Sequence, residues 1–100
     1  MKLLSGKTSI ITGGAKGIGR GIATKFAEQG SNIVFTYFSS EQKAIELTKE
    51  LEQFGVEVLA VKSDAANFQA AKELTEMAVA RFGKIDILIN NAGITRDNLL

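Results

Sequence analysis

The sequence predicts an α/β fold, a doubly wound parallel sheet to which this chain contributes four strands and three helices. Apolar, β-rich runs start about every 25 residues, and amphipathic helical patterns fill the intervals between them. Most of the runs are almost uninterrupted in their apolar character. That pattern is typical of parallel strands covered on both faces, and not of half-exposed antiparallel strands.

The elements follow in order along the chain. The predicted strands are Thr8–Thr12, Ile33–Thr36, Val58–Val61 and Ile85–Asn90. The predicted helices carry apolar stripes at Ile18, Ile22 and Phe26, at Ala44, Leu47, Leu51 and Phe54, and at Ala71, Leu74, Ala78 and Phe82. Ser39 and Gln42 have the spacing of a capping box for the second helix, and Asn67 can cap the third. Gly30, Gly55 and Gly83 each follow a helix, where a left-handed residue commonly ends one.

The composition is that of a globular protein. Apolar residues make up 45% of the 100 residues and charged residues 23%, and the net charge is +1 without any basic block, which argues against a nucleic-acid partner. There is no cysteine for a disulfide or a thiolate zinc site, and no histidine for general-base catalysis. No apolar stretch approaches the roughly 20 residues of a membrane span, and no secretory signal is recognisable. We expect a cytoplasmic protein without a membrane partner.

A glycine-rich segment, TGGAKGIGRG, joins the first strand to the first helix. Gly13, Gly17 and Gly19 define the glycine loop, whose G-x-x-x-G-x-G spacing differs from the general G-x-G-x-x-G fingerprint. A pyrophosphate can approach such a backbone closely because no Cβ occupies its place, and the amides and dipole of the first helical turn can hold it. A tight turn alone would need only one glycine. A P-loop is excluded, because no strand and no earlier glycine precede Gly6-Lys7-Thr8.

The end of the second strand favours NADP(H) over NAD(H). In NAD-selective folds a carboxylate near this position binds the ribose hydroxyls and would repel a 2′-phosphate. Here the strand ends in FTYFSS, and the first acid, Glu41, lies inside the next helix. Thr36, Tyr37 and Ser39 offer hydroxyls instead. Lys16 supplies a cation that can reach the same phosphate, or is simply an exposed lysine at a helix start.

Polar groups also follow the third and fourth strands. Asp64 can accept a hydrogen bond from an adenine amino group, or it can belong to the turn before the third helix. Asn90 and Asn91 end the fourth strand, which we expect beside the first, at the crevice where the strand order reverses. Their amides can contact a cofactor, satisfy backbone groups that lack ladder partners, or do both.

With these features together, the chain resembles the short-chain dehydrogenase/reductase family, whose fold is of the Rossmann type. The two N-terminal signatures of that family, T-G-x-x-x-G-x-G and N-N-A-G, occur at Thr12–Gly19 and Asn90–Gly93. TGGAKGIGRGIA and NNAGITRDNLL are similar to its 3-oxoacyl-[acyl-carrier-protein] reductase branch. The resemblance extends over residues 1–100 and implies the N-terminal dinucleotide-binding half of a single Rossmann domain, and therefore an incomplete fold.

The resemblance implies that NADP(H) is the cofactor, with Gly13 to Lys16 and Ile18 on the pyrophosphate and adenosine ribose, and with Lys16 at the position where NADP-dependent members usually carry a basic residue. Asp64 and Ala65 would contact adenine, although the family usually has valine at the second position. Asn90 would steady its strand and contact the ribose, and Asn91 with the two residues after it would form the floor beneath the nicotinamide. The predicted cofactor-binding residues are Gly13, Gly14, Ala15, Lys16, Gly17, Ile18, Gly19, Thr36, Tyr37, Ser39, Asp64, Ala65, Asn90, Ala92 and Gly93.

The family's catalytic serine and Y-x-x-x-K pair are not found in this chain. Its one tyrosine, Tyr37, is followed four residues later by Glu41 and not by lysine. We therefore expect a portion of a longer homo-oligomeric reductase that acts on 3-oxoacyl groups of acyl carrier protein in fatty-acid synthesis, with catalytic residues beyond Leu100. The fourth strand would be an open apolar edge. Two alternatives remain: a relative acting on another carbonyl or alcohol, and a non-catalytic dinucleotide-binding module.

Overall fold

The computed structural model of the chain describes residues 2–15, 17–63 and 68–91, in which strands and helices alternate as predicted. The elements are β1 (Thr8–Ile11), α1 (Gly17–Glu28), β2 (Asn32–Tyr37), α2 (Glu41–Glu52), β3 (Val58–Lys62), α3 (Phe68–Phe82) and β4 (Ile87–Ile89). Each strand lies on one of the predicted apolar runs, although β4 is shorter than predicted. Within the described ranges no helix is both long enough and apolar enough to cross a membrane.

The four strands form one parallel sheet in the order β3-β2-β1-β4. The chain adds β2 and β3 on one side of β1 and then returns to add β4 on the other side. A helix connects each strand to the next, so the prediction of a doubly wound, Rossmann-type sheet is confirmed. The order reverses beside β1, which places the crevice of such a sheet at the carboxyl ends of β1 and β4.

Helices cover both faces of the sheet, which explains why its central strands are apolar throughout. On one face, Ile11 and Phe35 pack with residues of α1 and α2. On the other face, Ile10 and Val34 pack with Leu74 of α3. Burying each of these side chains stabilises the fold by about 1.5 to 3 kcal/mol. The buried strands β1 and β2 therefore fix the positions at which the loops after their carboxyl ends begin.

α1 packs on the sheet through small residues and not through the isoleucine that was predicted to begin its stripe. Gly19, Ala23 and Ala27 are buried, and Ile22 is partly buried beside them. Ile18 is 76% exposed, so its assignment to the apolar stripe is wrong. Small residues let the helix lie close to the strands, and Ile18 is turned about 100° from the line of contact that Gly19 begins.

The other two stripes and the glycines that end the helices follow the predictions with one exception. The stripe of α2 is buried, and Phe54 beyond it is partly buried. In α3 the predicted Ala71 is exposed, because it borders a cavity at the ends of the strands and does not pack on them. The predicted helix-ending glycines Gly30, Gly55 and Gly83 have φ values of +94°, +82° and +82°.

The predicted capping box of α2 is wrong. The helix begins one residue later than the pattern requires, so that Ser40 and not Ser39 is the N-cap, and the Ser40 side chain makes no capping hydrogen bond. Gln42 then occupies the second helical position, from which it cannot reciprocate, and its amide donates instead to the Glu46 carboxylate at 3.3 Å. Asn67, the predicted cap of α3, lies outside the described residues.

β4 is an edge strand in the described part of the chain. It pairs with β1 alone, and Leu88 at its centre is 62% exposed. The prediction of an open apolar edge is therefore confirmed.

Asp86 joins the amino ends of β1 and β4. Its carboxylate accepts the N–H of Thr8 at 2.9 Å, and its own N–H donates to the Thr8 carbonyl at 2.9 Å. Lys84 forms an ion pair with the same carboxylate at 3.1 Å. The Thr8 hydrogen bond, followed by the Lys84 contact, holds the pKa of Asp86 below its ordinary value of 3.8. This contact fixes the sheet at the end opposite the glycine loop.

Candidate functional site

The glycine loop turns the chain from β1 into α1, and its glycines have separate steric reasons. Gly13 and Gly17 have φ values of +67° and +64°, which residues with a side chain rarely adopt. A Cβ on Gly14 would lie 2.7 Å from the Cβ of Phe35, and one on Gly19 would lie 2.3 Å from the Gly13 carbonyl oxygen. The expectation that the turn alone needs one glycine is therefore wrong.

Residues of β2 and of the segment after β4 hold Gly13 from opposite sides. The N–H of Gly13 donates to Oγ1 of Thr36 at 2.9 Å, and the N–H of Gly14 donates to the Thr36 carbonyl at 3.0 Å. On the other side, Nδ2 of Asn91 donates to the Gly13 carbonyl at 3.2 Å. The first part of the glycine loop is thus fixed by hydrogen bonds within the chain.

Asn90 is held by the residue that ends β1. Thr12 donates its N–H to the Ile89 carbonyl at 3.0 Å and its hydroxyl to Oδ1 of Asn90 at 3.1 Å. Asn90 and Asn91 therefore connect the end of β4 to β1 and to the glycine loop, and the structural role predicted for them is confirmed. The side chain of Asn90 also borders a cavity of about 160 Å³ together with Thr12, Thr36, Ser63, Ala71, Thr75 and Leu88.

The start of α1 follows directly on the glycine loop at the carboxyl edge of the sheet. The first N–H groups of a helix have no acceptor within it, and they lie at the positive end of its dipole. The first turn of α1 contains no acidic residue that would compete for them. Gly17, Ile18 and Gly19 belong to this turn, which can therefore bind an anion.

A second cavity, of about 280 Å³, lies between the glycine loop and the end of β2. Its lining residues are Gly13, Ala15, Thr36, Tyr37, Phe38, Ser39 and Ser40. These residues include no carboxylate, and three of them were predicted as hydroxyl donors to a cofactor. A cavity of this size holds part of a dinucleotide and not the whole, since pockets for drug-sized ligands start at about 300 Å³. We call it the β2 cavity.

Phe38 and Ser40 were missed in the sequence. Phe38 lines the cavity and is 66% exposed. In the sequence, an aromatic residue directly after an apolar strand cannot be distinguished from a further residue of that strand. Ser40 was overlooked because the capping box assigned the helix start to Ser39. Five predicted site residues lie outside the described residues: Lys16, Asp64, Ala65, Ala92 and Gly93.

The described residues offer no metal site, since no three histidine, cysteine, aspartate or glutamate side chains lie together in them. The groups that this part of the site offers are amides for an anion, hydroxyls for a ribose or phosphate, and a cavity wall with an exposed aromatic ring. They fit the adenosine and pyrophosphate portions of a dinucleotide.

Comparison with known proteins agrees with this geometry. The family model described as short chain dehydrogenase matches residues 7–100. The 3-oxoacyl-[acyl-carrier-protein] reductase FabG of Staphylococcus epidermidis is 43% identical over 94 residues, which are 94% of this chain and 38% of the relative. The L-rhamnose 1-dehydrogenase (NAD(P)(+)) of Sphingomonas sp. is 42% identical over 94 residues, which are 94% of this chain and 37% of that relative. The chain thus spans less than half of the length of these relatives.

A solved structure shows the same fold with a bound nucleotide. The short chain dehydrogenase of Burkholderia cenocepacia J2315, in complex with NADP, superposes with a TM-score of 0.87 at 35% identity. The match covers 97% of this chain and 41% of that one. The fold is thus shared with a short chain dehydrogenase whose structure contains NADP.

Proposed function

The chain belongs to the short chain dehydrogenase family, and on that premise we propose that the intact protein, with the length of its relatives, is an NADP(H)-dependent oxidoreductase. We further propose that it reduces the 3-oxo group of an acyl chain on acyl carrier protein, in fatty-acid synthesis. The identity of 43% to the FabG relative supports this substrate. In this proposal, residues 1–100 form the dinucleotide-binding half of one domain, and the catalytic serine, tyrosine and lysine belong to the rest of the protein.

The observation that carries the proposal is the position of the glycine loop beside a cavity lined by hydroxyls. The amides at the start of α1 would hold the pyrophosphate, and the β2 cavity would take the adenosine portion. Asp64 and Ala65 would contact the adenine, and Asn90 with Ala92 and Gly93 would contact the ribose and nicotinamide. When bound, the cofactor supplies the hydride for reduction of a carbonyl. The residues of this chain contribute binding and placement, which account for much of the barrier reduction in such a transfer.

The preference for NADP(H) rests on charge. The residues that line the β2 cavity include no carboxylate, and the first acid after β2 is Glu41, in the first turn of α2. A 2′-phosphate would therefore meet hydroxyls, and we propose that Lys16 supplies the neutralising cation. An acid at this place would favour NAD(H) by repelling the phosphate.

The test is a pair of titrations, following nicotinamide fluorescence, with NADPH and with NADH. The wild-type intact protein should bind NADPH more tightly than NADH. Ser39→Asp places a carboxylate in the β2 cavity and should weaken NADPH binding about fivefold to several hundredfold, since a nearby like charge costs about 1 to 4 kcal/mol, while NADH binding changes little. Ser5→Asp is the matched control, because it adds the same charge at an exposed position outside the cavity. Tighter binding of NADH than of NADPH by the wild type would refute the preference.

A second candidate function has support from the L-rhamnose 1-dehydrogenase relative, which is nearly as similar as the FabG relative. That candidate is a dehydrogenase of the same family acting on a sugar or another alcohol. Turnover of a 3-oxoacyl thioester on acyl carrier protein, compared with oxidation of free rhamnose, separates the two candidate functions.

Gel filtration and fractionation of cells would test the further proposal that the intact protein is a cytoplasmic homo-oligomer.

A further inference from the structure

The peptide groups of Gly13 are held by side chains from β2 and from the segment after β4. Its N–H donates to Oγ1 of Thr36 at 2.9 Å, and its carbonyl accepts from Nδ2 of Asn91 at 3.2 Å. The adjacent N–H of Gly14 donates to the Thr36 carbonyl at 3.0 Å. A single residue of β2 thus takes up the first two amides of the glycine loop.

We infer that Thr36 is a positioning residue, whose hydroxyl acts on the dinucleotide through Gly13 and not by direct contact with the ribose. This inference rests on the proposed function and changes the role expected from the sequence, in which Thr36 was one of the hydroxyls offered to the cofactor. Only 2% of Thr36 is exposed, so it has almost no surface to offer a ligand although it borders the β2 cavity. Tyr37 and Ser39, which follow it, are more exposed.

The consequence for binding follows from the hydrogen bonds. With their N–H groups directed at Thr36, Gly13 and Gly14 do not present them to a pyrophosphate, and that task falls on the first turn of α1. The hydroxyl of Thr36 acts on a residue that precedes the first turn of α1 in the chain. It holds Gly13 at the left-handed φ of +67°, from which the chain continues into α1. Without the hydroxyl, the N–H of Gly13 loses its acceptor, and other loop conformations compete with the one that binds.

The effect must therefore be equal for the two nicotinamide dinucleotides. The pyrophosphate is common to NADPH and NADH, whereas the 2′-phosphate is present in NADPH alone. Loss of the hydrogen-bond acceptor for this part-buried donor lowers the population of the competent loop by up to about tenfold. The dissociation constant rises in proportion as that population falls. A hydroxyl that touched the 2′-phosphate directly would instead affect NADPH alone.

The test uses three variants of the intact protein. Thr36→Val removes the hydroxyl without changing the shape of the side chain, and Thr36→Ser keeps it. Thr48→Val is the matched control, because the hydroxyl of Thr48 donates only along α2, to the Ala44 carbonyl at 2.8 Å. Dissociation constants for NADPH and NADH are measured by fluorescence titration. We expect Thr36→Val to weaken both by up to about tenfold, Thr36→Ser to restore both, and Thr48→Val to leave both unchanged.

A measurement on the wild type keeps the inference testable even if Thr36→Val does not fold. Proton exchange of the Gly13 amide is followed by NMR after selective ¹⁵N-glycine labelling, with and without NADPH. The amide should already be protected without nucleotide, since its acceptor is Thr36, and saturation with NADPH should add little.

Each outcome decides the matter. Unprotected Gly13 that becomes protected only with NADPH would overturn the inference, as would unchanged binding by Thr36→Val or a loss confined to NADPH. If the wild type binds neither dinucleotide, the proposed function fails and the role of Thr36 fails with it. If the wild type binds and Thr36→Val binds equally well, the inference alone fails.

Discussion

Replacement of Gly19 by alanine tests the closest approach in the glycine loop. A Cβ at this position would lie 2.3 Å from the carbonyl oxygen of Gly13, 3.0 Å from its carbonyl carbon and 2.8 Å from Nδ2 of Asn91. Two of these three atoms belong to the backbone, which cannot rotate away as the end of a long side chain can. The start of α1 and the glycine loop must therefore move apart by roughly 1 Å to reach ordinary contact.

The expected change in the free energy of unfolding is the steric cost of the added methyl group less the gain in helix propensity from alanine. Forcing an additional methyl group into a closely packed site costs about 1 to 3 kcal/mol. Alanine gains up to about 1 kcal/mol over glycine in a helix, and less near a helix end. Because the obstruction is mostly backbone, we expect Gly19→Ala to lower the free energy of unfolding by about 1 to 2 kcal/mol. The displaced loop should also bind NADPH more weakly.

Gly21→Ala is the matched control, since Gly21 lies in the same helix and a Cβ there meets nothing within 4 Å. Its helix propensity alone should raise the free energy of unfolding by about 0.5 to 1 kcal/mol. The assay is urea denaturation of the intact protein followed by circular dichroism, with an NADPH titration alongside. The steric reasoning fails if Gly19→Ala proves as stable as Gly21→Ala and binds NADPH as tightly as the wild type does.

Two further predictions concern charged contacts. The pKa of Asp86 is lowered by its bonds to Thr8 and Lys84, so its contribution to stability is complete above the ordinary value of 3.8 and is lost as the pH falls through the lowered value. Asp86→Asn should therefore lower the free energy of unfolding near neutral pH. In urea denaturation, the difference in this free energy between the variant and the wild type should become smaller in acid. A difference that stays constant with pH would contradict a role for the charge of the Asp86 carboxylate. The Arg20–Glu50 ion pair between α1 and α2, at 2.6 Å, has side chains that are 33% and 52% exposed. A double-mutant cycle with Arg20→Met and Glu50→Gln should give a coupling of about 0.2 to 1 kcal/mol that decreases with added salt, and a salt-independent coupling would exclude an electrostatic origin.

The fold was predictable to the level of topology, and the details of α1 and α2 were not. The spacing of the apolar runs was enough to predict four parallel strands and three helices, because burial on both faces leaves a continuous apolar pattern. The pattern misassigned Ile18, since an isoleucine at helical spacing is equally compatible with the core and with an exposed first turn. It misassigned Ser39 because two neighbouring serines can each precede a helix, and hydrophobic periodicity does not place a helix start to within one residue.

The sequence was enough to predict which residues lie at the candidate site, but not the role of each residue there. The glycine loop, the hydroxyls after β2 and the two asparagines were identified from their positions at strand ends. Their hydrogen-bond partners could not be identified, because Gly13, Thr36 and Asn91 are far apart in the chain and meet only when β1 lies between β2 and β4. The same pairing makes Thr36 a support for the loop, where the sequence suggested a contact for a ligand.

The sequence by itself determined the order of strands and helices and the place where an anion can bind, since both follow from local periodicity and from glycines at a strand end. Only the tertiary structure decided why each glycine is needed and which polar groups are already engaged with the backbone. The physical reason is that a steric clash or a hydrogen bond between distant residues is a property of distances in space. Such distances, 2.3 Å from a Gly19 Cβ to the Gly13 carbonyl and 2.9 Å from the Gly13 amide to Thr36, arise only after the sheet has assembled.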